Sequence, residues 1–423
     1  MMYSSADDNV QQPEEAVRVV PLLRNRDYLL LWGGQTISLV GSGISQFAFP
    51  LLVLALTASP LAAGIAGAFN SLPYIILSLP AGALIDRWDR KRVMVICDTV
   101  RMINIASIPL AFLLFGQSSL LQIYLVSLIE GSFFTFFNIA ETACLPRVVA
   151  KEQLPAATAQ SEVTYGLSVL ISPSLGGLFY SIGQLFPFLA DAISYAASVF
   201  SLLFIRTAFQ GERVATPLRL RQEISEGLIW LWRQPLIRYM AFLTGGINLF
   251  SAGIVLVVVV IAQHQGASPA MIGVIFAIAG IGTVLGSLLG GVVQRRFSFG
   301  LVIIGSCLLL TLLWPLYIII PNSLLLGAIT ASLYIVIPIY NVVQFSYRLA
   351  LIPDEMQGRV NSVFRLLAFG FMPLGFALTG ILLQNFGVLT TVIVATTGFL
   401  LLTLLTWGNA AVREARPLAE LES

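Results

Sequence analysis

The sequence predicts an all-α, polytopic membrane protein with twelve transmembrane helices in two pseudo-symmetric halves. Of its 423 residues, 57% are hydrophobic and only 10% are charged, and its mean hydropathy is +0.89. Soluble domains have about 25% charged residues. Twelve apolar segments are each long enough, at about 1.5 Å per helical residue, to cross a hydrocarbon core of about 30 Å. A water-soluble monomer is therefore excluded.

The apolar segments are predicted to be helices rather than barrel strands. Each is a continuous apolar run, whereas membrane strands are about ten residues long and alternate apolar with polar positions. The expected spans are residues 28–56, 60–85, 92–115, 120–145, 159–182, 186–206, 236–262, 269–293, 299–320, 323–349, 358–383 and 387–408.

The distribution of lysine and arginine predicts the orientation of the chain. These cations occur in both terminal tails and in every even-numbered connection, and the six odd-numbered connections contain none. Because cytoplasmic loops are enriched in Lys and Arg, both termini are expected in the cytoplasm and the number of spans is expected to be even. A seven-span receptor is excluded by the same count. No cleavable signal peptide is expected.

One long, charged connection divides the chain into two halves. It is predicted to contain an amphipathic helix, Leu218 to Trp232, lying on the cytoplasmic membrane face. A weak repeat supports duplication, since Leu145-Pro146 after the fourth span is echoed by Ile352-Pro353 after the tenth. Paired six-span repeats are typical of transporters. The expected parts are a tail at 1–27, bundles at 28–206 and 236–408 joined by a linker at 207–235, and a tail at 409–423.

A motif at residues 82–92, with one aspartate at the end of the second span followed by a cluster of basic residues, is expected on the cytoplasmic side. An acid at the end of a helix can accept hydrogen bonds from the first amides of a neighbouring helix, while arginines stay at the anionic leaflet. The motif therefore predicts a conformational latch, and a plain topological anchor is the alternative. Asp98 and Arg101 on the third span are expected to form a local ion pair and are grouped with it. The latch residues are Gly82, Asp86, Arg87, Arg90, Arg92, Asp98 and Arg101.

A second motif, Ser172-Pro173-Ser174-Leu175-Gly176-Gly177, lies on the fifth span. Proline removes a backbone hydrogen bond and kinks a helix, and small residues four apart let another helix approach closely. The eighth span offers a matching pattern in Gly282, Gly286 and Gly290. Generic packing inside one bundle is the alternative to a special contact between these two spans.

Both motifs resemble signatures of the major facilitator superfamily. Residues 82–92 are similar to its cytoplasmic loop motif, with Asp89 where the family often has Gly. Residues 172–177 are similar to the Gly-Pro-x-x-Gly-Gly motif of its antiporting exporters, with serine replacing two glycines. Residues 20–408 resemble the twelve-span subgroup of macrolide efflux proteins and the enterobactin exporter, on the segments Arg24-Asn25-Arg26-Asp27-Tyr28, Leu145-Pro146-Arg147 and Phe188-Leu189-Ala190-Asp191. The resemblance implies the major facilitator fold, a bacterial cytoplasmic membrane, and a contact between the fifth and eighth spans at the bundle interface.

Carboxylates inside the spans are the strongest functional candidates, since each costs about 2.5–3.5 kcal/mol at a helix centre on insertion scales. Glu130 is expected near mid-membrane on the fourth span, and Glu141 nearer the cytoplasm. Eleven residues at about 100° each bring both acids to one face. Proton coupling is predicted there, and a buried structural hydrogen bond is the alternative. Asp191, near the outer end of the sixth span, is expected to be interfacial and partly hydrated, and is a third candidate.

Helically spaced polar faces predict a central cavity. They occur on the first, fourth, seventh and tenth spans, which line the cavity in the superfamily; hydrogen bonding between helices is the alternative. The candidate cavity residues are Gln35, Ser38, Ser42, Ser45, Phe49, Phe134, Phe137, Asn138, Thr244, Asn248, Ser251, Tyr334, Asn341 and Gln344.

These features predict alternating-access export of a small lipophilic or amphipathic compound, driven by inward flow of protons or Na⁺. Import by symport and, from a different class, a membrane receptor or scaffold are the alternatives. One histidine and three isolated cysteines cannot form a Cys/His metal site, and no nucleophile–base set is evident. We therefore expect no enzymatic activity, metal or cofactor. A net charge of +2 predicts no nucleic-acid partner, and a monomer in the bilayer is expected.

Overall fold

The computed structural model describes residues 21–85, 87–207, 209, 220–353 and 356–415, and regular structure in these ranges is helical. The α-helices are α1 Arg26–Thr57, α2 Pro60–Ile85, α3 Arg90–Phe115, α4 Leu120–Val148, α5 Leu154–Ile182, α6 Phe186–Phe204, α7 Leu220–Arg233, α8 Pro235–Ser251, α9 Ile254–His264, α10 Pro269–Arg296, α11 Phe299–Leu313, α12 Leu316–Ile319, α13 Ser323–Leu351, α14 Gln357–Gly370, α15 Met372–Gly408 and α16 Ala410–Arg413.

Polar capping residues fix where several spans begin. A side-chain oxygen just before the helix accepts a hydrogen bond from a backbone N–H three residues later, which satisfies one of the free amides of the first turn. The capping residues of this kind are Asn25 before α1, Asp89 before α3, Ser119 before α4, Ser268 before α10 and Asn322 before α13.

The described residues contain eleven apolar stretches long enough to cross a membrane, and the last accounts for two spans. That stretch comprises α14 and α15 and has 52 residues, more than twice the length needed for about 30 Å of hydrocarbon. Gly387 interrupts it with φ 74°, a conformation that glycine adopts readily. Before this break the chain runs along the seventh span toward higher residue numbers, and after the break it runs back toward lower ones. The contacts in chain order are Leu367 with Gly245, Thr379 with Gly253, Phe399 with Phe250 and Thr406 with Tyr239.

The chain therefore reverses at Gly387, and the predicted twelve-span fold is confirmed. The seventh span is α8 followed by α9, and the ninth is α11 followed by α12. In the first half α1 packs on α5 and α6, α2 on α4, and α3 on α4 and α6. In the second half α10 and α11 pack on α13, and α15 packs on α8 and α11. Helix α7 packs on α8 and α14, so it belongs to the second half.

Two close contacts join the halves, α5 with α10 and α2 with α15. A Cβ on Gly177 of α5 would lie 2.6 Å from the Pro269 carbonyl oxygen and 2.9 Å from Cα of Gly273 on α10. The other contact pairs Gly64 with Gly380 in the same way, with 2.8 Å from the added Cβ to the opposing Cα. Both lie toward the end of the bundles where α1 connects to α2, which the cation pattern predicts to be extracellular.

The structure confirms the predicted contact between the fifth and eighth spans, α5 and α10, but corrects the glycines that make it on the eighth span. Gly282, Gly286 and Gly290 of α10 face α13 of their own half, against Ala331, Ile335 and Val342. Gly273 and Gly280 instead face α5. Nine residues separate Gly273 from Gly282, and at about 100° per residue they lie on opposite sides of the helix.

The serine-substituted motif on α5 is likewise divided between two neighbours. The Ser172 hydroxyl donates to the Val40 carbonyl at 3.2 Å, and Gly176 packs against Phe47 of α1. Gly177 is the motif residue whose added Cβ would meet α10. The motif therefore serves packing inside the first half as well as contact between the halves.

We expect Gly177→Ala to separate the halves at this end, because its Cβ would collide with the α10 backbone. Spin labels on the exposed residues Ile182 and His264 should then show a longer mean distance. Gly291→Ala is the matched control, since a Cβ there meets nothing within 4 Å. Equal distances in the two variants would contradict the expectation.

Candidate functional site

Three adjoining cavities follow one another through the molecule: the mouth cavity lies within the first half, and the central and far cavities lie between the two halves. The mouth cavity, about 360 Å³, is lined by the starts of α1 and α5 and the end of α4, including Tyr28, Trp32, Leu145 and Glu162. The central cavity, about 440 Å³, shares Gln35, Leu39, Asn138, Glu141 and Tyr165 with the mouth cavity. The far cavity, about 340 Å³, shares Ser42, Gln46 and Val255 with the central cavity.

The far cavity ends near one of the contacts that join the halves. Ala63, Gly67 and Phe376 line it, and these residues belong to α2 and α15 next to the Gly64–Gly380 contact. The mouth cavity lies at the opposite end, beside the start of α1. The three cavities therefore form a path that approaches one membrane face and is narrowed at the other.

The two walls of this path differ in chemistry. The first half supplies most of its polar lining, including Gln35, Gln46 and the carboxylates of Glu130 and Glu141. The second half supplies Val255, Leu256, Phe276, Tyr334, Met372 and Phe376, in which the Tyr334 hydroxyl is the one polar side-chain group. Ligand pockets with mostly apolar walls and a few polar groups suit amphipathic molecules.

A buried ion pair connects α3 to α4 at the wall of the central cavity, which Arg101 lines. Nε and Nη2 of Arg101 lie 2.7 and 2.6 Å from Oε1 of Glu130, and the Tyr195 hydroxyl donates to the same oxygen at 2.6 Å. Asp98 is a more distant partner, with Oδ1 at 3.6 Å from Nη1, and its Oδ2 accepts from Ser198 at 2.6 Å. The predicted local pair is present, but Glu130 holds Arg101 more closely. Sequence spacing missed this contact because it joins two helices.

Asp191 is buried between α1 and α6, which corrects the partly hydrated surroundings expected from sequence. It is 0% exposed and accepts hydrogen bonds from Ser45 and from Ser194, the latter at 3.3 Å. Position along a helix gives depth in the membrane, but burial depends on the neighbouring helix. Here Gly41 and the small serines bring α1 close enough to cover the carboxylate.

Glu141 differs from Asp98, Glu130 and Asp191 because its carboxylate has no hydrogen bond or ion pair within the described part of the chain. It lines both the central and the mouth cavity, beside Tyr165 and Asn138. A partly buried carboxylate without a partner in a ligand-sized cavity is a group that a cation can bind.

Comparison with known proteins places this architecture in a family. Residues 18–420 match the family described as transmembrane secretion effector. The chain belongs to this family of major facilitator transporters. It is 27% identical to the multidrug efflux pump Tap of Mycolicibacterium fortuitum, over 86% of this chain and 90% of that protein. It is 26% identical to macrolide efflux protein A of Streptococcus pyogenes, over 85% and 90%.

Solved structures share the major facilitator fold at low identity. A mutant of the nucleoside transporter NupG has a TM-score of 0.77 at 12% identity, covering 91% of this chain and 99% of that one. A bacterial homologue of the iron transporter ferroportin has a TM-score of 0.74 in its inward-facing state, at 14% identity and with 92% and 99% coverage. Its outward-facing state gives 0.61, at 16% identity and with 90% and 98% coverage.

Within this major facilitator fold, nine of the predicted cavity residues line the path. They are Gln35, Ser38, Ser42, Phe134, Phe137, Asn138 and Tyr334 in the central cavity and Ser45 and Phe49, with Ser42 again, in the far cavity. Gln46 and Tyr165 also line it and were missed. Polarity and helical spacing relative to Ser42 would have identified Gln46, since four residues bring it to nearly the same face.

The remaining predicted cavity residues are not among those lining the three cavities. Thr244 contacts the Tyr340 hydroxyl at 2.7 Å, Asn248 donates to the Ala368 carbonyl at 2.7 Å, and Ser251 donates to the Ile247 carbonyl at 2.7 Å. Asn341 is exposed and Gln344 is buried. In the second half the polar faces therefore include hydrogen bonds within and between helices, as the alternative interpretation had it.

The latch motif of this major facilitator chain is described in part, because Asp86 lies outside the described residues. Nη1 of Arg90 donates to the Ala143 carbonyl of α4 at 2.8 Å, and Nζ of Lys91 donates to the Ile205 carbonyl at 2.7 Å. Gly82 has open space around its added Cβ, and Arg87 and Arg92 are exposed. These bonds tie the start of α3 to the ends of α4 and α6, and the role of the motif as a latch stays a prediction.

Proposed function

We propose that this protein exports small lipophilic or amphipathic compounds by alternating access, acting as a monomer in a bacterial cytoplasmic membrane and driven by inward flow of protons. The observation that carries the proposal is the path of three cavities, with polar groups on one wall and apolar groups on the other. Export agrees with the function for which the efflux relatives are named. No step in this proposal requires enzymatic chemistry.

The cation pattern supports an inward-open arrangement. The mouth cavity lies at the end that holds the start of α1 and the Arg90 and Lys91 contacts, which is the end predicted to be cytoplasmic. A compound would enter there from the cytoplasm or the inner leaflet. The greater similarity to the inward-facing than to the outward-facing ferroportin homologue agrees with this assignment.

Proton coupling is supported by the balance of buried charge in the first half. Within the described helices, Asp98, Glu130 and Asp191 surround one cation, Arg101. An uncompensated carboxylate in hydrocarbon is costly, and a bound proton removes that cost. Each proton entering down 100 mV supplies about 2.3 kcal/mol. One proton per cycle is enough to sustain a modest uphill gradient of a neutral compound.

The orientation is tested by thiol labelling at single cysteines placed at position 298, between α10 and α11, and at position 266, between α9 and α10. We expect an impermeant maleimide added to intact cells to label position 266 and to leave position 298 unlabelled until the cells are opened. Labelling of position 298 in intact cells would contradict cytoplasmic termini.

The transport function is tested in inside-out vesicles with a chemically diverse panel of compounds. We expect accumulation of a lipophilic or amphipathic compound when the lumen is made acidic, and its collapse on addition of a protonophore. A sodium gradient imposed at equal pH distinguishes the coupling ion. Accumulation restricted to right-side-out vesicles would identify an importer, and absence of transport for every compound and gradient would contradict the proposal.

A further inference from the structure

The ion pair between Arg101 and Glu130 leaves one oxygen of each neighbouring carboxylate without a hydrogen bond. Oε1 of Glu130 accepts hydrogen bonds from Arg101 and Tyr195. Its Oε2 is buried and has no hydrogen-bond partner in the described part of the chain. Oδ2 of Asp98 accepts a hydrogen bond from Ser198, and its Oδ1 is likewise buried without a hydrogen bond. Buried acceptors left in this way are costly, so each oxygen is a position where a donor would be stabilised.

Arg101 lies between these two carboxylates. Its Nη1 is 3.6 Å from Oδ1 of Asp98, which is within ion-pair range but longer than a hydrogen bond. A displacement of roughly 0.7 Å would bring that distance to the usual 2.9 Å of a hydrogen bond. Asp98 therefore offers the guanidinium a second acceptor close to the one it occupies.

The guanidinium also belongs to the wall of the central cavity. Its Cζ lies 4.4 Å from the ring centre of Tyr195, 5.4 Å from that of Phe134 and 6.0 Å from that of Phe137. Arg101, Phe134 and Phe137 all line the central cavity. A movement of Arg101 would consequently change the surface that a bound compound contacts.

We propose that Arg101 is a shared counter-ion that passes from Glu130 to Asp98 when Glu130 takes up a proton, and returns when that proton leaves. This inference rests on the proton-coupled export proposed above. The proton binds Oε2 of Glu130 and forms one O–H bond, which turns the carboxylate into a neutral acid. The guanidinium stays charged throughout, because arginine does not lose its proton in proteins. Its attraction to Glu130 falls, and ionised Asp98 becomes the stronger partner.

Other polar and titratable groups surround Arg101, Asp98 and Glu130, but none of those described is a second cation that could replace Arg101. Helix α1 contributes hydroxyls, and Ser42 lies 3.5 Å from Nη2 of Arg101. Helix α2 packs on α4 at Gly131 and contributes the amide of Asn70. The titratable groups that face Arg101, Asp98 and Glu130 are Cys97 on α3, Glu141 on α4, and Asp191 and Tyr195 on α6. No second cation faces the three from the described helices, so Arg101 is the group that responds to the proton.

The test removes the second acceptor and compares two modes of transport. Asp98→Asn keeps the size of the side chain and an acceptor for Ser198, but it carries no negative charge to balance the guanidinium. Uphill export driven by a pH gradient is expected to fall at least tenfold. Exchange of labelled for unlabelled compound at equal pH is expected to stay within about threefold of wild type, because exchange does not require the charge to be transferred.

Equilibrium binding of the transported compound in nanodiscs, measured from pH 5.5 to 8.5, provides a readout that a purely structural role would leave unchanged. Wild type is expected to show at least a tenfold change in affinity across this range, and Asp98→Asn less than a threefold change. Asp98→Glu should restore the dependence. Glu152→Gln is the matched control, since it makes the same change from carboxylate to amide at an exposed residue before α5.

Three results would overturn the proposal, and they are distinguishable. If Asp98→Asn lowers uphill export and exchange in parallel and keeps the wild-type pH dependence, Asp98 only stabilises the bundle. If Asp98→Asn does not fold, Ser198→Ala frees Oδ2 of Asp98 and should move the midpoint of the pH dependence; an unmoved midpoint contradicts the switch. If wild type itself shows neither pH-driven export nor pH-dependent binding, the proton coupling of the proposed function fails as well.

Discussion

Uphill export driven by a pH gradient is expected to disappear in Glu130→Gln, with the accumulation ratio falling to about one. Glutamine keeps the size of the side chain and an acceptor for Tyr195 and Arg101, but it cannot exchange a proton. Arg101 is not left alone, because Asp98 lies 3.6 Å away and can take its charge. The variant should therefore still fold, but its transport should no longer be coupled to the proton gradient.

Accumulation ratios in inside-out vesicles at a fixed acidic lumen measure this effect, with compound exchange at equal pH as the internal reference. Glu152→Gln makes the same chemical change at an exposed residue before α5 and should behave as wild type. A Glu130→Gln protein that still concentrates its substrate in response to the pH gradient would show that Glu130 is not the coupling acid. Asp191 and Glu141 would then be the residues to replace.

The second large effect is expected at Glu141, and it should depend on the charge of the transported compound. Glu141→Gln removes the carboxylate that faces the central and mouth cavities without a partner among the described residues. A cationic compound should bind about tenfold to hundredfold more weakly, which corresponds to about 1.4–2.8 kcal/mol. A neutral compound of similar shape should bind within about twofold of wild type, because its contacts are with the apolar wall.

Equilibrium binding of a cationic compound and its neutral analogue to the purified protein measures this difference directly. Glu130→Gln is a useful comparison, since Glu130 already pairs with Arg101 and its replacement should change the affinities for the cation and the neutral analogue to a similar extent. Equal losses for the cation and the neutral analogue in Glu141→Gln would contradict an electrostatic role and indicate that Glu141 only shapes the cavity.

Much of the fold is predictable from sequence because the bilayer imposes a length and a sidedness on each span. The expected second span at 60–85 coincides with α2, and the fourth, expected at 120–145, extends to Val148. The fifth begins at Leu154, five residues before the expected start at 159. Its first turns carry Thr158 and Glu162, which line the mouth cavity, so polarity there marks a helix facing water rather than a loop.

Contacts between helices are harder to predict, because a sequence gives the angle between residues on one helix but not which neighbour lies at that angle. Gly282 has the spacing of an interface residue, and the structure places it against α13 rather than α5. The same limit applies to Asp191, whose depth could be counted but whose cover by α1 could not. Arg101 and Glu130 lie on adjacent helices 29 residues apart, and no local pattern reports their distance.

The uneven chemistry of the two walls has a consequence for how such a protein can change over generations. The ionisable groups that would capture energy lie in the first half, while Phe276 and Tyr334 of the second half shape the space that a compound fills. Substitutions at these two positions would alter size and shape preference without touching the carboxylates or Arg101. Substitutions in the second half could thus adapt the cavity to a new compound, while the ionisable residues proposed to couple transport to protons stay unchanged in the first half.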